Sequence, residues 1–89
     1  MNPAYRMYYA LALFVRGHHD EALHQADVLA PLVGTDYIGN YNIGQIYARC
    51  GQPVKGQHHL EIALAAAATE QDRHDASEML TAVRRLLAG

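Results

Sequence analysis

The sequence predicts an all-α chain made of two helix-turn-helix units and one terminal capping helix, and three observations carry that expectation. The chain repeats itself: Gly17 and Gly51, Ala10 and Gly44, Leu13 and Tyr47, and Ala22 and Gly56 each lie 34 residues apart. Self-similarity at a fixed period of this length marks stacked supersecondary units. Segments of helix length lie on either side of each central glycine, with start and stop signals at their ends. Within the segments, apolar residues recur every three or four positions. The 89 residues therefore divide into a first unit over about 3–36, a second over about 37–70 and a capping helix over about 71–88, all in one domain.

Helix one is expected from Pro3 to Arg16. Asn2 stands as its cap and Pro3 occupies the first helical position, where a missing N–H costs nothing. Gly17 ends it in a left-handed conformation. Helix two follows from His19 to Leu32, with Asp20 and Glu21 in the first turn, where the positive end of the helix dipole favours acids. Its apolar positions Leu23, Ala26, Leu29 and Ala30 share one face. Gly34, Thr35 and Asp36 break the chain, and Asp36 caps helix three, from Tyr37 to Arg49. Gly39 and Gly44 weaken that helix by up to about 1 kcal/mol each relative to Ala, so both need a reason. The repeat register gives one for Gly44, a close approach of paired helices, whereas Gly39 reads as local flexibility. Helix four runs from Pro53 to Ala68 and ends in the alanine run Ala65 to Ala68. Thr69 and Asp72 have capping-box spacing, which starts a fifth helix from Gln71 to Leu87. Its stripe of Met79, Val83, Leu86 and Leu87 leaves Arg73, Asp75, Glu78, Arg84 and Arg85 in water, as a sealing helix requires.

Composition excludes several classes of function. Seven Lys and Arg are spread along the chain against nine Asp and Glu, so there is no basic footprint for nucleic acid. Half the residues are apolar and only 18% are charged, which suits a chain partly covered by a partner. The longest apolar stretch, Tyr8 to Val15, is too short to span a bilayer, and no basic leader precedes it. One cysteine, Cys50, gives no internal disulfide, so the expected location is the cytoplasm.

At these residues the chain resembles the tetratricopeptide-repeat (TPR) family over nearly its whole length. That family places a small residue, a bulky one, a glycine, an alanine, a large apolar residue and an alanine at fixed points of each repeat. In the second unit Gly44, Tyr47, Gly51, Gly56, Leu60 and Ala63 stand there. The run from Asn42 to Gly51 is the closest match. In the first unit Ala10, Leu13, Gly17 and Ala22 match, while Ala26 and Leu29 depart from the pattern, and the usual terminal Pro is missing from both units. The resemblance implies a short right-handed α-solenoid in which the first helix of each pair lines a concave groove. Carried over residue by residue, the groove positions are Met7, Leu11, Phe14 and Val15 from the first unit, and Ile38, Tyr41, Gln45 and Ala48 from the second.

TPR proteins that grip an acidic tail use Lys and Asn on these helices. Here Met7 and Leu11 stand in those places and only Asn42 matches the rest of that clamp, so the groove is expected to be apolar, with Tyr5, Tyr8, Tyr9, Tyr37 and Tyr41 at one end. The partner such a surface suits is an apolar or amphipathic helix of another polypeptide. Small bacterial TPR chaperones of type III secretion subunits are similar in size and manner of working. Other readings stay open: these residues are simply core, or the chain is a structural TPR subunit that self-associates through the same face as a homodimer, or a fragment of a larger TPR scaffold.

Catalytic and metal readings are weaker. In His18-His19 and His58-His59 the adjacent side chains point about 100° apart on a helix, so neither pair chelates, and His74 has no partner at ligand spacing. The histidines read as surface groups, with His19 packing in the turn between helices. Cys50 sits at the negative end of a helix, which disfavours its thiolate. Asp20 and Glu21 are explained by helix-start electrostatics. No phosphate loop, nucleophile elbow or zinc motif is present, so no enzyme activity, cofactor or metal is expected.

Overall fold

A computed structural model describes residues 2–89, and they are all-helical, with no strand among them. The helices are α1 (Pro3–Val15), α2 (His19–Leu29), α3 (Tyr37–Arg49), α4 (Pro53–Ala66) and α5 (Glu70–Ala88), with one 3-10 turn at Ala30–Leu32. Side chains hold three of the starts. Asn2 accepts the Ala4 N–H at 2.8 Å, Asp36 that of Gly39 at 2.7 Å and Thr69 that of Asp72 at 3.0 Å. Each satisfies one of the donors a helix start leaves free. Gly17 and Gly51 turn the chain at φ +83° and +88°, a conformation that penalises any side chain.

The ends differ from expectation by more than one residue in two places. The second helix was expected to continue to Leu32, but its α-helical part stops at Leu29 and the last residues tighten into the 3-10 turn. Pro31 has no N–H to continue the ladder. The fourth helix stops at Ala66 because Ala67 is already extended, at φ −63° and ψ 124°, leading into the Thr69 cap.

Short connections reverse the chain each time. Consecutive helices pack on one another, and α1 with α3, and α3 with α5, meet as alternate neighbours. The tightest pair is α3 with α4. A Cβ on Gly44 would lie 2.8 Å from the Leu60 Cγ, and one on Gly56 would lie 2.9 Å from the Ala48 backbone nitrogen. Only hydrogen fits at those crossings. Two apolar clusters result. One joins α1, α2 and α3 through residues such as Leu13, Leu29 and Ile46, and the other joins α3, α4 and α5 through Ala48, Leu60, Leu80 and Val83. No described helix is long and apolar enough to cross a membrane.

Candidate functional site

Along α1, Ala4, Met7, Tyr8 and Leu11 fall at the spacing of one helical face, and all four line a cleft between α1 and α3. From α3 come Ile38, Gly39 and Asn42, and from the end of α2 and the turn after it come Leu29, Leu32 and Val33. The early stop of α2 at Pro31 thus shapes the cleft's wall. Its volume is about 430 Å³ and Asp36 is the one charged residue lining it among those described. Binding pockets commonly have about 300–1,000 Å³ and mainly apolar walls. Several of the lining side chains are left in water: Tyr8 is 70% exposed, Ile38 66% and Leu32 60%. Burying a side chain of this size is favourable by about 1.5–3 kcal/mol, so the cleft is a surface that gains from being covered.

Gly39 belongs to this construction, which corrects its reading as a point of flexibility. A Cβ there would come within 2.8 Å of the Val33 Cγ1 and 3.1 Å of the capping Asp36 Oδ2. The glycine lets the turn after α2 close against the start of α3.

Of the eight groove residues expected from the sequence, the cleft gathers Met7, Leu11 and Ile38. Phe14 turns towards the first core cluster and stacks on His19 with centroids 6.0 Å apart. Val15 is 80% exposed but does not line the cleft. Gln45 is half-buried and likewise outside it. Tyr41 packs with Met79 and Leu64 against the second cluster, and Ala48 is buried within that cluster beside Leu60, Leu80 and Val83. The helix α5 that covers Ala48 therefore takes the place a ligand would need there. Leu32, Val33 and Tyr8 complete the cleft. Of these, only Tyr8 had a sequence signal, in the tyrosines grouped at one end.

Beyond α3 the surface changes character. Tyr37 donates its hydroxyl to the Asp72 backbone carbonyl at 2.9 Å and stacks on Tyr41 at 5.8 Å. Burial pushes both phenols above their ordinary value, and nearby carboxylates add to it: Asp72 and Asp75 at Tyr37, Asp75 and Glu78 at Tyr41, where Arg49 opposes. The flank towards α5 is thus acidic, while the wall towards α1 is apolar.

A polar cluster lies on the other side of α3. Asn40 donates through its Nδ2 to the carbonyls of Gly34 and Asp36, at 3.1 and 2.8 Å. Its Oδ1 is left to accept, so the His59 Nδ1 at 2.9 Å carries the proton. His59 is buried, which corrects its reading as a surface histidine, and burial together with neighbouring His58 lowers its pKa below 6.5. Gly56, Leu60 and Ala63 share its helix face, and that periodicity is the signal that places His59 inside. Tyr47 stacks on His59 at 5.6 Å and donates to the Asp27 Oδ1 at 2.5 Å. This cluster is closed by its own bonds: no buried side-chain nitrogen or oxygen among the described residues lacks a partner. Burial and Asp20 push the Cys50 thiol up, away from a reactive thiolate. His74 meets Glu78 one turn on at 3.3 Å, which corrects its reading as lacking a partner at ligand spacing, but among the described residues no three His, Cys, Asp or Glu side chains gather as a metal would require.

Comparison with family models, with curated proteins and with solved structures finds no match to this chain.

Proposed function

We propose that this chain is a small TPR-type module that works without catalysis, holding an apolar or amphipathic helical segment of another polypeptide in the cleft between α1 and α3. The observation that carries the proposal is the cleft itself, about 430 Å³ with apolar walls and with Tyr8, Leu32 and Ile38 more than half exposed at its edges. An amphipathic helix presents side chains at the same three- and four-residue spacing as the α1 wall, so the two surfaces can interdigitate. Three features support the repeat reading. They are the 34-residue register, the contacts of α3 with both α1 and α5, and the glycine crossing of α3 and α4. In this reading the protein acts as an adaptor or chaperone in the cytoplasm, in the manner of the small type III secretion chaperones.

The test is purification from a native-like host under mild conditions, with the mass of any companion polypeptide determined for the natural chain, Ile38→Asp and Val54→Asp. Ile38 lines the cleft, whereas Val54 is equally exposed on α4 and lies outside it. The expected result is a stoichiometric companion lost from the first variant and kept by the second. Equal retention by both would remove the cleft as the site.

A further inference from the structure

We infer that, when no other polypeptide fills it, the cleft takes the last turn of α5 from a second copy of this chain, joining copies head to tail. The inference rests on the cleft being a polypeptide-binding site and names an occupant for it.

The occupant is visible in α5. Its apolar stripe is buried at Leu80 and Val83, 1% and 2% exposed, and then runs out into solvent at Leu86 and Leu87, 64% and 40% exposed. The cause is length. Tyr37 bonds to Asp72, 35 residues on, so α3 and α5 run side by side in that register. The end of α3 at Arg49 then comes level with Arg84, and the residues from Arg85 to Ala88 continue past it. These residues form a helical end with two adjacent leucines and Arg85, while Arg84 just before them pairs with Glu61 on α4 at 3.6 Å. The cleft has the complementary character: apolar walls, Asp36 at its lining and the carboxylates of Asp72 and Asp75 on the flank beyond Tyr41. The leucines match the walls and Arg85 matches the acidic flank.

The chain cannot make this contact with itself. The cleft opens where α3 begins, and Tyr37 places the start of α5 at that same end. Nineteen residues at 1.5 Å each carry the end of α5 roughly 28 Å away. The whole molecule measures only 31 Å in its longest direction. Donor and acceptor thus lie at opposite ends, and a contact between unlike patches adds copies one after another, closing into a ring or growing as a chain. An external partner of the cleft would compete with this assembly.

Sedimentation velocity of the full chain over a wide concentration range tests it, using Ile38→Asp to spoil the cleft and Leu86→Asp with Leu87→Asp to spoil the tail. Both sites are exposed, and helical circular dichroism checks that each variant folds. Should Ile38→Asp fail to fold, Tyr8→Ser replaces it. The natural chain is expected to grow in mass with concentration, and each variant alone to need at least about tenfold more protein for the same association, the effect of losing one buried large side chain. Mixed in equal amounts, the two variants retain one intact cleft and one intact tail, and should form a heterodimer that grows no further. A natural chain that is monomeric throughout overturns the inference, as does a tail variant that associates like the natural chain. A self-association lost on Ile38→Asp but kept by the tail variant also overturns it, while leaving the cleft as a binding surface. Failure of the cleft reading itself shows separately, as an Ile38→Asp variant that keeps its polypeptide companion.

Discussion

Replacing Gly56 by Ala puts the α3–α4 crossing to a quantitative test, because helix propensity and packing pull in opposite directions there. Ala is the better helix former by about 1 kcal/mol, so a position free of neighbours would be stabilised. Gly56 is not free: its Cβ would lie 2.9 Å from the Ala48 backbone nitrogen and 3.0 Å from both the Gly44 carbonyl oxygen and the Ala48 Cβ. Ordinary contacts are about 3.5–4.0 Å, so the helices must part by roughly half an ångström, enough to forfeit a quarter or more of each contact along the seam. Overpacking of this kind costs about 1–3 kcal/mol, and contact with backbone, which cannot rotate away, belongs at the upper end. Net of propensity, we expect a loss of about 2 kcal/mol, which lowers the Tm of a chain this size by roughly 10 °C. Thermal and urea denaturation followed by circular dichroism measures it. Ala82→Gly, at an exposed position within α5, calibrates propensity in the same molecule and should cost about 1 kcal/mol. If Gly56→Ala proves as stable as the natural chain while Ala82→Gly falls as expected, the close crossing is wrong.

Other outcomes follow from the polar cluster and the cleft. His59 has a folded pKa below its ordinary 6.5, so the unfolded chain binds the proton first. Its contribution to stability is complete above pH 6.5 and declines as the pH falls from there through the folded value. Urea midpoints between pH 8 and 5 should show that decline, and His59→Gln should be less stable at pH 8 but flatter. An unchanged slope would mean that His59 protonates freely in the folded chain. Tyr47→Phe removes the hydroxyl that holds Asp27 below its ordinary carboxylate pKa of 3.8. An NMR titration should find that pKa raised towards 3.8, with a stability loss of about 1 kcal/mol or less because Asp27 is half exposed. Ile38→Asp, at an exposed cleft position, should change the Tm by only a few degrees, within the roughly 0.5 kcal/mol of surface substitutions. A large fall would make Ile38 a core residue rather than part of a binding surface.

The helices were legible because their signals are local. Asn2, Asp36 and Thr69 announce starts through hydrogen bonds within a few residues, and Gly17 announces an end through its own φ. The Gly44 crossing was legible through the repeat register, which supplied a reason for its lack of a side chain. Gly39 was misread because its reason, Val33 packing across the turn, depends on where two helices meet. The cleft gathers three of the eight expected groove residues, for the same kind of reason. The family resemblance placed Met7 and Leu11 on the groove side of α1, and both line the cleft. Ala48 could be seen as covered only once α5 was laid over α3. Leu32 and Val33 entered the wall because Pro31 ended α2 early, a three-dimensional consequence of one missing N–H.

The most direct test of the cleft is the mass of the natural chain, measured by light scattering as purified and again on dilution, beside Ile38→Asp. The account predicts that the natural protein carries a companion, either another polypeptide or further copies of itself, while the variant runs as a bare monomer of 9.8 kDa with the same helicity and nearly the same Tm. A natural chain that is already a bare monomer at every concentration, and indistinguishable from the variant, would contradict it.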